Sequence, residues 1–244
     1  MATYTVSVPK SGLVSPTTWG SRNAVKGQIE TILTKYGKFL KFASDNSKLP
    51  MEVLASFISV ESGGNPTAGG SGSITQGLMQ WNRDFIWASL EAEKRMGRLT
   101  PDEEAKLKSF GITYNTSGKL SRKITQADAV KPELNILIGS ILLGQYSDGY
   151  YDGGKFKKDT AGNKINWASD NGELRLDRMI AVYNAGAYGD AGKKAISGGY
   201  KDALALANAV NPTTRAYINK MLGLNGALDV STSDLATKFA TLKG

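Results

Sequence analysis

Glu61 is the residue best placed in this sequence for acid–base chemistry. It follows Leu54, Phe57 and Ile58 by seven, four and three positions. In a helix opened by Pro50 it therefore shares their apolar face. Gly63, Gly64 and Pro66 end that helix, so Glu61 sits in its last turn, where the helix dipole disfavours negative charge. Partial burial and the dipole both raise a carboxyl pKa, toward the protonated form that a general acid needs near neutral pH. Alone, the same residue also fits a solvated helix end, so its neighbours decide.

Composition narrows the chemistry. The 244 residues include no cysteine and no histidine. Catalytic triads built on Cys or on Ser and His are excluded, as is zinc held by imidazole or thiolate. Carboxylates, hydroxyls, amides, Lys and Arg remain. Asp148, Asp152, Gly153 and Asp159 partly imitate a calcium loop, but Tyr150 occupies the third position and the loop ends in Asp rather than Glu. We expect no metal and no cofactor.

Four short stretches surround the candidate acid. Glu61-Ser62-Gly63-Gly64-Asn65-Pro66 is followed by Gly77-Leu78-Met79-Gln80-Trp81. Pro132-Glu133-Leu134-Asn135-Ile136, with Gly139, comes next, and Ala181-Val182-Tyr183-Asn184-Ala185-Gly186 closes the series. In this order they resemble the four motifs of the lytic transglycosylases with a lysozyme-like fold. The resemblance covers roughly residues 50–222 and takes in Tyr217-Ile218-Asn219-Lys220, similar to that family's closing helix. It implies a mainly α, lysozyme-like helical domain that cleaves peptidoglycan glycan strands. It also implies roles: Glu61 as the single acid and base, Tyr183 positioning it from a facing helix, Ser62 beside the scissile bond, and Met79 and Gln80 lining the glycan subsites. Asn184 and Asn135 join the substrate-binding set. For Asn135 a buried amide tying helix ends together is the alternative, and for Met79 a place in the core.

Most glycosidases use two carboxylates. From Ser62 through Arg83 there is no Asp or Glu. The goose-type lysozymes, which share the fold, carry Asp two residues past the Gln of the second motif; here that position is Asn82. A lone carboxyl agrees with the route the resemblance implies. The acid protonates the glycosidic oxygen, the neighbouring acetamido group stabilises the cation, and the C6 hydroxyl closes a 1,6-anhydro ring. The alternatives are a hydrolysing muramidase on the same fold and a non-catalytic wall-binding virion module.

Helical periodicity places the elements that must position these residues at 24–44, 50–61, 84–97, 101–109, 132–146, 174–185, 200–209 and 212–222, with a weaker helix at 232–242. Thr100, three residues before Glu103, reads as an N-cap. Residues 62–76 read as a Gly/Ser-rich loop, and 155–167 as a small β-hairpin turning at Ala161-Gly162-Asn163. We expect an N-terminal arm at 1–23, a catalytic domain at 24–222 with insertions at about 82–131 and 145–173, and a helical tail at 223–244. In the second insertion Tyr150, Tyr151 and Trp167 fit either sugar stacking or an ordinary surface flap.

The formal net charge is +8, which suits a polyanionic partner. The positive residues are scattered rather than in runs, so cell wall is favoured over nucleic acid. No stretch reaches the length of a membrane span, and residues 1–10 lack the pattern of a secretory signal. The expectation is a monomer with no membrane insertion, carried in a phage virion or released from host cytoplasm to the wall.

Overall fold

The computed structural model describes residues 12–16, 19–70, 72–147, 150–151, 155–156, 174–186, 188–197 and 199–244. The expected hairpin turn at 161–163, Trp167 and the acidic positions 148, 152 and 159 lie outside the described residues. The architecture is mainly helical with small antiparallel strand pairs. No described helix is long and apolar enough to cross a membrane.

Two helices form the centre. α2 (Met51–Ser62) buries every residue from Val53 to Ser59, so its apolar surface extends all round rather than along one stripe. α6 (Pro132–Ser147) is equally apolar, with Leu134, Ile136, Leu137, Ile138 and Leu143 buried. α1 (Arg22–Ser47), capped by Ser21, lays Val25, Ile29, Ile32, Tyr36 and Leu40 across both. Pro50 is the N-cap of α2 rather than its first helical residue. Gly63, in the left-handed conformation, ends α2 by donating its amide to Ser59 O.

The first expected insertion holds α3 (Arg83–Arg95), α4 (Pro101–Ser109) and the single turn α5 (Gln126–Ala129). α4 starts on the Thr100–Glu103 capping box that the sequence indicated. A second box, Thr125 with Asp128, starts α5. The chain returns through α7 (Leu176–Ala185), α8 (Asp190–Ser197), α9 (Ala203–Ala209) and α10 (Pro212–Leu222). The C-terminal residues form two helices, α11 (Ala227–Ser233) and α12 (Ala236–Lys243). Leu228, Val230 and Phe239 are buried in the same core, and Arg22 at the start of α1 binds Asp229 and Asp234.

The Gly/Ser-rich stretch contains structure that sequence periodicity did not reveal. β1 (Thr75–Gln76) pairs antiparallel with β2 (Trp81–Asn82), the four residues of the second motif's Gly-Leu-Met-Gln forming the turn. Another pair joins β3 (Tyr150–Tyr151) to β4 (Lys155–Phe156). Asn135 anchors the first hairpin to α6. Its Oδ1 accepts from Met79 N at 2.8 Å, and its Nδ2 donates to Gln76 O at 3.0 Å and Ala129 O at 2.7 Å. Trp81 Nε1 donates to Asn135 O at 3.0 Å. The hairpin sits so close that a Cβ at Gly77 would lie 2.2 Å from both Ala129 O and Asn135 Nδ2, and Gly77 has φ 83°.

These contacts make Asn135 a positioning residue for the hairpin. Asn135→Leu leaves a backbone amide and two carbonyls without their buried partner, and we expect a loss of about 2–4 kcal/mol in denaturant unfolding. A loss below about 0.5 kcal/mol would remove Asn135 from this role.

Candidate active site

A cleft of about 580 Å³ opens between the β1–β2 hairpin, α3, α6 and the end of α7. Glu61 reaches it from the last turn of α2. Thr75, Gln80, Trp81 and Asn82 form the hairpin wall, and Tyr146, Tyr183 and Asn184 the helical one. Two exposed aromatics, Phe85 on α3 and Tyr188 after α7, also line it.

Burial pushes the Glu61 carboxyl up to about 7, against a hydrogen bond from Tyr217 and the charge of Lys220, which lower it. Tyr217 stands on α10, where Asn211 caps the helix by accepting from Thr214 N, and Pro212 occupies its first position. The buried Tyr217 hydroxyl donates directly to Glu61 Oε1. Lys220 follows Tyr217 by three residues, one helical turn. Burial, with the nearby Glu61 carboxyl, holds the Tyr183 and Tyr217 hydroxyls well above the usual range, so both stay protonated donors.

Glu61, Gln80, Tyr183 and Asn184 meet at the cleft as the sequence indicated, but the expected contacts change. Tyr183 donates its hydroxyl to Met79 O, not to Glu61. It packs edge-on against Phe57, ring centres 4.9 Å apart. Its described hydrogen bond holds the hairpin, and the one to the acid comes from Tyr217. Met79 is fully buried, and a Cβ at Gly139 would fall 2.3 Å from its sulfur. It seals the hairpin against α6 instead of lining the cleft. Asn135 is likewise fully buried, its amide already spent on three backbone groups. Ser62 Oγ donates back to Ile58 O at 3.1 Å and accepts from Gly64 N at 3.2 Å, so it closes the helix end and is absent from the cleft lining. Asn184, exposed at the cleft, has its Oδ1 accepting from Thr214 Oγ1 at 3.0 Å. Gln80, with φ 48°, donates its Nε2 to Gly77 O at 2.7 Å, and this stiffens the turn.

Sequence reasoning missed Tyr217 as the partner of Glu61, although its Tyr-Ile-Asn-Lys stretch stood out. It also missed Phe85, Tyr188 and Gln145, for which neither a motif nor a spacing gave a signal.

Among the described residues lining the cleft, Glu61 is the sole carboxylate. Asn82, where a second acid was sought, caps α3 by accepting from Asp84 N at 2.9 Å, and the exposed Asp84 is not part of the lining. Burial also pushes Glu103 up to about 7. Glu103, however, faces a separate cavity of about 340 Å³ and is tied to Thr100 in the capping box. A raised pKa is thus not what sets Glu61 apart; its place in the larger cleft beside paired tyrosines is. The described residues contain no cluster of three or more acidic side chains that could hold a metal ion.

The chain matches no protein-family model and no curated protein.

The raised carboxyl has a stability consequence. The folded value, about 7, exceeds the ordinary 4.5, so the native state binds the proton more tightly than the unfolded chain. That contribution is complete below the unfolded value and is lost as pH rises through the folded one. Glu61→Gln should therefore melt above the wild type near about pH 8, with the gap shrinking near about pH 4, as read by circular dichroism. A gap independent of pH would contradict a half-buried, proton-holding Glu61.

Proposed function

We propose that this chain is a peptidoglycan lytic transglycosylase, cleaving the β-1,4 bond between N-acetylmuramic acid and N-acetylglucosamine and leaving 1,6-anhydro ends. The observation that carries the proposal is Glu61: the one carboxyl among the described residues of the cleft lining, poised near neutral pH by burial and held by Tyr217. The order of the four sequence motifs supports it, as do the exposed aromatics along the cleft, which offer flat apolar faces to sugar rings. The net charge of +8 suits an anionic wall polymer.

The proton inventory closes on one residue. Protonated Glu61 gives its proton to the glycosidic oxygen. The C1–O bond breaks, and its electron pair leaves with the N-acetylglucosamine oxygen. The acetamido carbonyl of N-acetylmuramic acid shields the cationic C1. Glu61, now a carboxylate, takes the C6 hydroxyl proton as that oxygen bonds to C1. The nucleophile is already attached to the sugar, so it arrives at high effective concentration and no water needs activation. The Tyr217 hydroxyl meets the carboxylate oxygen at the stage when it is charged, and Lys220 adds a favourable field. Glu61 then ends the cycle protonated, as it began.

Purified protein on peptidoglycan should release fragments whose N-acetylmuramic ends are lighter than hydrolysed ends by one water, about 18 Da, in mass spectra. Glu61→Gln should lower the lytic rate at least about a hundredfold with the fold intact. Reducing ends would instead make the enzyme a hydrolysing muramidase, and no release at all would leave a binding module.

Tyr217→Phe removes a bond that favours the Glu61 carboxylate, so the Glu61 pKa rises. Activity requires the protonated acid at the start. The alkaline limb of the rate should therefore move to higher pH, while the maximum falls roughly tenfold for want of carboxylate stabilisation. Turbidity clearing across pH measures both; a limb that stays or moves to lower pH rules Tyr217 out of this role.

A further inference from the structure

Gln145 lines the cleft from α6 while only 2% exposed. Its amide nitrogen is committed: Nε2 donates to Glu93 Oε1 at 3.0 Å and to Ser89 O at 3.3 Å. Glu93 is itself gripped by Arg98 through bonds of 3.0 and 2.7 Å, which fixes its carboxylate as an acceptor. Turning the Gln145 amide over would set oxygen against oxygen at both contacts. Oε1 is therefore fixed on the side away from Glu93, and among the described residues it has no hydrogen-bond partner. A buried amide oxygen left without a protein donor costs free energy, which a donor brought into the cleft recovers. The surrounding wall is apolar, with Ile86 from α3 and Leu142 and Tyr146 from α6.

We propose that Gln145 is a specificity-determining residue whose Oε1 accepts the N–H of a substrate acetamido group, with the acetyl methyl seated against Ile86 and Leu142. The inference rests on the glycan-cleft reading above. A sugar hydroxyl would satisfy the oxygen but bring no methyl to the apolar wall. An acetamido group supplies both from one substituent. The Arg98–Glu93 pair acts from behind, orienting the amide without touching substrate.

The test is an NMR titration of wild type and Gln145→Met with two trimers, N-acetylglucosamine and glucose, the latter bearing hydroxyls in place of acetamido groups. Met keeps the length and volume of the side chain and removes the acceptor. Wild type should prefer the N-acetylated trimer at least about tenfold, and Gln145→Met should retain less than about twofold of that preference. If the variant fails to fold, nuclear Overhauser contacts in wild type between the acetyl methyl and the methyls of Ile86 and Leu142 decide instead: their presence supports the subsite and their absence overturns it. A wild type without the preference, or a variant that keeps it, also overturns the role of Gln145, while clearing of peptidoglycan by the same wild-type sample leaves the cleft reading standing. Wild type that neither binds a trimer nor clears peptidoglycan brings down both.

Discussion

A carboxyl at the end of a buried helix is expensive to ionise, and the arrangement around Glu61 turns on how much of that cost is offset. α2 is enclosed on nearly all sides as far as Ser59, and its half-buried last turn carries Glu61 where burial penalises the charged form. Full pairing with a cation would drive the carboxyl to its ionised form and end its use as an acid. Here the partner is a neutral hydroxyl, Tyr217, with the cationic Lys220 acting through its field. The balance leaves the group near 7, where either protonation state is reached at little cost. That balance requires α10 to lie against α2 in one register, and the caps and buried face of α10 secure it.

The opposite wall obeys a different constraint. A hairpin with two-residue strands has too few ladder bonds to hold its own shape. It is fixed from outside, by Asn135 beneath it and Tyr183 beside it, both bonding to backbone in or near the turn. Backbone strain at Gln80 is tolerated because those bonds determine the turn. The cleft therefore has rigid walls on both sides, one made of packed helices and the other of a pinned turn. The rings of Phe85 and Tyr188 stand exposed along it.

Much of this was legible from spacing alone. α2, α4, α6 and α10 begin and end near where their apolar periodicity and capping residues indicate, and Glu61 is in the predicted last turn. α8 was missed, and α11 was not separated from the expected helical tail, because both are short and rich in small or polar residues, which blurs a helical pattern. The β1–β2 hairpin was missed because two-residue strands offer no alternation to count. Site residues were harder. Periodicity states which face a residue occupies but not what stands across from it. The bond between Tyr217 and Glu61 joins residues 156 positions apart, and nothing local encodes it. Asn135 and Met79 show the same limit: their types fit a substrate contact as well as a buried brace, and only three-dimensional packing chooses the brace.

That choice separates two kinds of residue at the cleft. Several positions in the sequence motifs work from behind the surface: Asn135, Met79 and Ser62 shape the hairpin and the helix end, and Gly77 and Gly139 leave room for close approach. The residues that would touch a bound chain are drawn partly from outside the motifs, among them Phe85, Tyr188 and Gln145. Misplacing a proton donor by an ångström is costly, so the scaffold near Glu61 uses buried backbone hydrogen bonds with little freedom to shift. Ligand contacts along the rest of the cleft need complementarity more than such precision, and surface side chains of α3 and the segment after α7 can supply it. On this division, if the proposed function holds, changes at Phe85 or Tyr188 would alter which ligands the cleft takes while leaving the acid untouched. Changes at Asn135 would disturb the chemistry without meeting the substrate at all.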